Sequence, residues 1–158
     1  MLEIERKYLV RSSAYRDEAH AAVEIIQGFL NTHPDRTVRV RLSGDQGFIT
    51  VKGRTDAEGV TRFEWEREIP PEEAKALLEI CQEGVIHKIR HLVKSGRHLI
   101  EVDEFRGENE GLVVAEIEIG KVDERIKKPD WLGEEVTGDP RYYNSQLSKK
   151  PYTTWKKK

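Results

Sequence analysis

The sequence predicts a mainly β protein, a closed eight-stranded antiparallel barrel (a tunnel) with a few covering helices. Three observations lead there. Segments of period-two alternation dominate the chain. Short polar turns, rather than long crossovers, join most of them. The charged positions of successive segments also fall in like-signed rows, which an ordinary solvated sheet face would tend to mix. At 158 residues, with no repeat, linker or low-complexity tract, residues 1–158 are expected to form a single domain.

Side chains alternate across a strand, so residues two apart share a face. The first strand, Leu2–Val10, sets Glu3, Glu5 and Lys7 opposite Leu2, Ile4 and Tyr8. Ser12–Val23 has helical spacing and leads into a strand at Glu24–Leu30. Thr37–Leu42 puts Arg39 and Arg41 opposite Val38, Val40 and Leu42. The turn Ser43-Gly44-Asp45-Gln46 returns the chain to Gly47–Lys52, where Thr50 and Lys52 oppose Ile49 and Val51. After the polar stretch Thr55–Gly59, Thr61–Ile69 turns Arg62, Glu64 and Glu66 away from Phe63 and Trp65. Pro70-Pro71 followed by EEAKALLEICQ predicts a helix: proline in the first turn, early glutamates, and Ala74, Leu77, Leu78 and Cys81 on one face. Val85–Val93 offers Lys88 and Arg90, His98–Phe105 offers Glu101 and Asp103, and Val113–Ile119 offers Glu116 and Glu118. Lys94-Ser95-Gly96 and Gly107–Gly111 are the turns between them, and Arg141–Leu147 carries a third, shorter helical pattern.

The formal net charge of -2 hides 27 basic and 29 acidic residues, so the chain is not the basic protein expected of a nucleic-acid or membrane-surface binder. The single cysteine, Cys81, excludes an intramolecular disulfide framework and fits a reducing compartment. The start MLEIERKYLV enters charged sequence at once, which argues against a signal peptide, and no apolar run approaches a membrane span. A cytoplasmic protein is expected.

The strand set fits a sandwich with solvated charged faces or a barrel with those faces inside. Arg39/Arg41, Lys88/Arg90, Glu64/Glu66 and Glu116/Glu118 favour the barrel. Eight strands enclose room for one small ligand. Seven cations turned inward (Lys7, Arg39, Arg41, Lys52, Arg62, Lys88, Arg90) beside eight acids need charged partners in that space. A triphosphate supplies one sign and magnesium or manganese the other.

These residues resemble a known family. Glu3-Ile4-Glu5-Arg6-Lys7 is similar to the ExExK signature of the CYTH, or triphosphate tunnel metalloenzyme, superfamily. Gln27-Gly28-Phe29-Leu30, VRVRL, Arg62-x-Glu64-x-Glu66, Lys88-x-Arg90, Glu101-x-Asp103-x-Phe105, Glu116-x-Glu118 and the tail GEEVT followed by Tyr142–Leu147 stand in the family's order, nearly end to end. Phe29 departs from the tyrosine of many bacterial relatives, which removes a hydroxyl there. The resemblance implies a metal-dependent hydrolase of triphosphate substrates with a two-metal site. It implies that Glu3, Glu5, Glu116 and Glu118, with Asp103, hold the metals. Lys7, Arg39, Arg41, Lys52, Lys88 and Arg90 would clamp the phosphates, and Glu64 and Glu66 would position metal or water. Lys7 or Lys88 would protonate or screen the leaving oxygen.

Three activities stay open on these residues. Hydrolysis of inorganic tripolyphosphate is favoured, because the compact chain shows no added base-recognition module. An adenylyl cyclase would use the same tunnel with a 3′-hydroxyl as nucleophile, and a polyphosphate-binding module would lack chemistry. A homodimer would cover apolar outer faces that the helices leave open. His87 and His91 are expected outside the barrel rather than on zinc, Cys81 as a packed thiol, Trp65 and Trp131 as packing residues with Trp131 near one tunnel mouth, and Lys156–Lys158 as a solvated end.

Overall fold

The computed structural model describes residues 2–155, with side chains from residue 4 onward. Eight strands alternate direction: β1 (Leu2–Val10), β2 (Ala21–Asn31), β3 (Arg36–Ser43), β4 (Gln46–Thr55), β5 (Thr61–Ile69), β6 (Ile86–Ser95), β7 (His98–Phe105) and β8 (Val113–Glu118). They pair in the order β5-β4-β3-β2-β6-β7-β8-β1, and β1 returns to β5 to close the barrel. That closure is short, running from Leu2↔Phe63 to Ile4↔Thr61. A ninth strand, β9 (Leu132–Glu135), takes over the same edge of β1, with Tyr8 opposite Glu135 and Val10 opposite Leu132. Its four residues, LGEE, have no alternation to betray them in the sequence.

The helices are shorter than their sequence signals. The pattern over Ser12–Val23 yields only α1 (Tyr15–Glu18), because Ala21, Ala22 and Val23 pair with Leu92, His91 and Arg90 of β6 and extend β2 backward. Strand pairing overrides a weak helical propensity there. The proline-led segment forms α2 (Pro71–Leu78), and the tail forms a 3₁₀ turn at Pro140–Tyr142 followed by α3 (Asn144–Leu147). Close packing of α2 requires glycine beneath it. A Cβ on Gly28 would stand 2.8 Å from the Cβ of Cys81, and one on Gly47 would stand 2.8 Å from that of Ala74. Cys81 is thus the half-buried packing thiol expected of it.

The apolar core has two parts on opposite sides of the barrel wall. Outside it, Tyr8, Ile100, Val102, Ala115 and Ile117 are covered by Tyr15 of α1 and by Trp131 and Leu132. Trp131 is a packing residue, edge-on to Tyr15 and donating its indole N–H to Glu18. Buried Glu104 accepts the Tyr15 hydroxyl proton and the Arg16 Nε–H, which fastens α1 to the wall. Inside, one end of the barrel is apolar. Ile86, Phe105 and Val114 meet Val136, Tyr142 and Leu147 of the returning tail. The tail therefore stops that end, and the charged rows occupy the rest. Among the described residues no helix is long and apolar enough to cross a membrane.

Candidate active site

Register decides which charged residues meet. Glu5 stands opposite Glu118 and Lys7 opposite Glu116 across the β1–β8 pair. Glu116 stands opposite Glu101 of β7, and Asp103 opposite Arg90 of β6. On the other wall Arg39 of β3 stands opposite Thr50 of β4, which stands opposite Glu66 of β5, and Lys52 lies between Thr37 and Glu64. Every one of these positions is on the inner face, so the reading of solvated sheet faces and a sandwich does not hold.

The enclosed space has two connected parts. The outer chamber, about 410 Å³, is lined by Glu5, Glu64, Glu66, Glu101, Glu116 and Glu118 together with Arg39, Arg41, Lys52 and Arg90. The inner chamber, about 60 Å³, leans the other way: Lys7, Arg39, Lys52, Arg62, Lys88 and Arg90 against Glu5 and Glu116. Phe29, Thr37, Tyr143 and Asn144 complete the inner wall.

The inner end holds a tight ionic network. Lys88 Nζ donates to Asp103 Oδ2 at 2.7 Å, and Arg90 grips both Asp103 oxygens, Nε to Oδ1 at 2.8 Å and Nη2 to Oδ2 at 3.0 Å. Burial alone would raise the pKa of Asp103, but Arg90 and Lys88 outweigh it and hold it down to about 2. Asp103 is in turn largely neutralised by Arg90. Burial, aided by the Arg90 charge, therefore overcomes Asp103 at Lys88 and lowers that ammonium to about 8. Lys7 Nζ lies 3.3 Å from Glu116 Oε1. Burial opposes its charge, yet Glu116 and Glu5 win and raise its pKa. Glu116 is likewise held well below the usual carboxylate range despite burial, by Lys7, Arg90 and Lys88.

The outer chamber is less satisfied. Arg41 is pushed down to about 10, first by burial and then by Arg39 and Arg90. Glu66 answers both arginines only at long range, 3.3 Å from Arg41 Nη2 and 3.7 Å from Arg39 Nη2. The Nε atoms of Arg39 and Arg41 are buried without a hydrogen-bond partner. Buried guanidinium N–H groups in that condition are suited to an anion's oxygens. Glu101 is raised, by burial and by the nearby Glu116 and Asp103 against the pull of Arg90. That is the condition of a carboxylate short of positive charge.

Twelve of the residues given a site role in the sequence line one chamber or the other: Glu5, Lys7, Arg39, Arg41, Lys52, Arg62, Glu64, Glu66, Lys88, Arg90, Glu116 and Glu118. Asp103 does not. The resemblance implied a metal ligand there, whereas its carboxylate is buried on the inner face with its oxygens committed to Lys88 and Arg90. The side chain of Glu3 and the run Lys156–Lys158 lie outside the described residues. His87 and His91 face outward, to Glu24 and Glu104. Trp131 packs on the outer wall rather than at a tunnel mouth. The sequence assigned no role to Glu101, although its period with Asp103 marked its face. Gln27 and Asn144 stood inside motifs of the resemblance but were given no role, because their contact with each other and with Lys88 depends on how the tail returns.

Six carboxylates around one chamber form an all-oxygen donor set of the kind a hard divalent cation takes. Among the described residues no three His, Cys, Asp or Glu side chains converge tightly enough to hold a metal by themselves. The donor set fits a cation that also takes oxygens from a bound ligand and from water, as magnesium-type ions commonly do.

The CYTH domain family model matches residues 1–149. The inorganic triphosphatase of Acetivibrio thermocellus is 48% identical over 155 residues, which cover 98% of this chain and 97% of that protein. That of Nitrosomonas europaea is 34% identical over 152 residues, with 94% and 97% covered. A crystal structure of an inorganic triphosphatase superposes with a TM-score of 0.66 at 32% identity, covering 92% of this chain and 97% of the other. A Hippeastrum protein described as a putative adenylyl cyclase with dominant triphosphatase activity shares the fold, with a TM-score of 0.60 at 15% identity and coverages of 75% and 80%. With a family match over most of its length, two relatives aligned almost end to end and the same closed barrel, this chain belongs to the CYTH domain family.

Proposed function

We propose that this protein is a divalent-metal-dependent hydrolase that cleaves inorganic tripolyphosphate to pyrophosphate and phosphate, residues 1–158 acting as one domain. The observation that carries the reading is a pair of crowded arginines, Arg39 and Arg41, each with a buried Nε lacking a partner, facing six carboxylates across one chamber. A polyanion with bound cations satisfies both sides at once. The two relatives that align almost end to end are both named inorganic triphosphatase, which supports the same substrate.

Phosphoryl transfer to water needs positioning and charge stabilisation more than covalent help. Arg39, Arg41 and Lys52 hold the phosphoryl group that is transferred in the outer chamber, and Lys7, Arg62, Lys88 and Arg90 receive the end that departs as pyrophosphate at the inner one. Glu5, Glu116 and Glu118, with Glu101 beside them, would hold Mg²⁺ or Mn²⁺ at one or two positions. A divalent cation bound there supplies charge neutralisation and a more acidic water. Glu64 and Glu66 orient the attacking water in line with the bond that breaks. As that P–O bond opens, Lys7 and Lys88 stabilise the charge on the departing oxygen. Asp103 takes no part in the coordination and fixes Lys88 and Arg90 in place.

An inorganic substrate is favoured over a nucleotide. Of the residues lining the chambers, the aromatic ones are Phe29 and Tyr143, both at the inner chamber, so the outer chamber offers no aromatic face on which a base could stack. The outer lining is charged throughout. A cyclase would need a nucleoside held so that its 3′-hydroxyl attacks. Placement in a reducing cytoplasm, where Cys81 stays a thiol, accords with the same reading.

The test is turnover of tripolyphosphate and of ATP with magnesium or manganese, following phosphate and cyclic AMP together. Phosphate from tripolyphosphate, with ATP a poor substrate, is expected. Cyclic AMP would transfer the assignment to a cyclase, and tight binding without turnover to a binding module. Glu5→Ala and Glu116→Ala should each abolish metal-dependent turnover, and near-normal rates in both would sink the metal assignment.

A further inference from the structure

Asn144 opens α3 on the returning tail, yet its side chain reaches into the barrel. Its Oδ1 accepts from Gln27 Nε2 at 2.7 Å and from Lys88 Nζ at 3.0 Å. Lysine carries only donors, so the contact with Lys88 fixes which way the Asn144 amide points. The Gln27 contact holds it there, and Gln27 is itself fully buried. The tail cannot drift, because Leu147 is fully buried in the apolar plug with Ile86, Phe105 and Val114.

An ammonium has three N–H donors in tetrahedral array. At Lys88 one is taken by Asp103 at 2.7 Å and one by Asn144 at 3.0 Å. Two fixed donors leave the direction of the third no freedom, and Lys88 lines the inner chamber. We propose that Asn144 is a positioning residue for the hydrolysis: with Asp103 it locks the Lys88 ammonium so that its third N–H points at the phosphate oxygen entering the inner chamber. The tail thereby does more than stop the barrel, since it completes the group that stabilises the departing oxygen. This rests on the triphosphatase reading above.

The discriminating variants are Asn144→Asp, which keeps an acceptor oxygen in the same place, and Asn144→Leu, which keeps the size and loses the acceptor. With tripolyphosphate and magnesium, the leucine variant should lose about 10- to 100-fold in kcat with KM changed less than about threefold, the range of a misplaced transition-state donor. The aspartate variant should stay within about threefold of the unsubstituted rate. A residue needed only for seating the tail would show no such split. If the leucine variant does not fold, Asn144→Ala is read in its place. A second readout needs no turnover. In protein labelled with ¹⁵N-lysine, the Lys88 ammonium, assigned by its absence in Lys88→Met, should give a protected proton signal in the unsubstituted chain and in Asn144→Asp that is lost without the acceptor. The inference is overturned by a leucine variant with an unchanged kcat, by an aspartate variant as impaired as the leucine one, or by a Lys88 signal that survives loss of the acceptor. If the unsubstituted protein leaves tripolyphosphate intact, the functional reading fails, and the ammonium signal still decides whether Asn144 locks Lys88.

Discussion

Glu101 and Asp103 stand two residues apart on the same face of β7, and their environments push them in opposite directions. Asp103, at the inner end, is locked between Lys88 and Arg90 and held down to about 2. Glu101, facing the outer chamber, is raised above its ordinary value by burial and by neighbouring acids, with a 3.2 Å contact to Arg90 as partial relief. The same division separates the two ends of the tunnel. At the inner end the network is balanced by the protein's own partners before any ligand arrives. In the outer chamber arginines crowd one another and carboxylates crowd across from them. An enzyme for a polyanion gains from both arrangements, a rigid set of donors at one end and an under-satisfied set whose charges a ligand completes at the other.

The largest effect is expected at Asp103. Removing it leaves the Lys88 ammonium without its bonded counter-ion and Arg90 with Glu101 alone, and losing one partner of such a network costs about 3–5 kcal/mol. Asp103→Ala should therefore lower the thermal midpoint by roughly 6–20 °C for a chain of this size, read by calorimetry or circular dichroism. A drop of under about two degrees would mean that the inner network is not self-sufficient.

Arg41 should behave in the opposite way. Its guanidinium is disfavoured by burial, by Arg39 and by Arg90, and is kept for what it binds. Arg41→Met should weaken tripolyphosphate binding by about 10- to 100-fold, the worth of one or two charge-assisted hydrogen bonds. The thermal midpoint of the ligand-free protein should hold or rise. Titration calorimetry beside thermal melts checks both. A variant that is less stable and binds normally would reverse the roles of the two ends.

The sequence disclosed the faces but not the depth. Arg39/Arg41, Lys88/Arg90, Glu64/Glu66 and Glu116/Glu118 could be read as inward rows because period two is written into a single strand. How far along the tunnel each residue sits depends on register between strands, which no single strand encodes. That is why, in the E-V-D run of β7, the metal role fell to Asp103 and none to Glu101, when pairing of Arg90 with Asp103 makes that residue a buried anchor. β9 and α1 were hidden or overextended for related reasons. Four residues have no period, and the Ser12–Val23 pattern ran into residues that β6 claimed for pairing. Asn144 lay within the Tyr142–Leu147 motif, yet its role was hidden because its partners, Gln27 and Lys88, are more than fifty residues away in the chain.

The smallest effect is expected at Glu101. Its pKa in the folded protein lies above that of the unfolded chain, so the folded state takes up its proton first as pH falls. Stability from this group consequently improves on going down through that folded pKa, and the ionised form is the costly one above it. Glu101→Gln keeps an acceptor for Arg90 and removes the disfavoured charge. At pH 7 it should raise the thermal midpoint by only about one or two degrees, since the side chain is partly exposed and solvent screens it. The gain should shrink to nothing as the pH approaches the ordinary carboxylate range. Asp103→Asn should give the reverse dependence: it loses stability at pH 7, and the deficit closes only as acid protonates Asp103 between about 4 and 2. Melts of both variants from about pH 3 to 8 would show two curves of opposite slope. Parallel curves would mean that the two carboxylates share one environment, and that the division between the ends of the tunnel is not electrostatic.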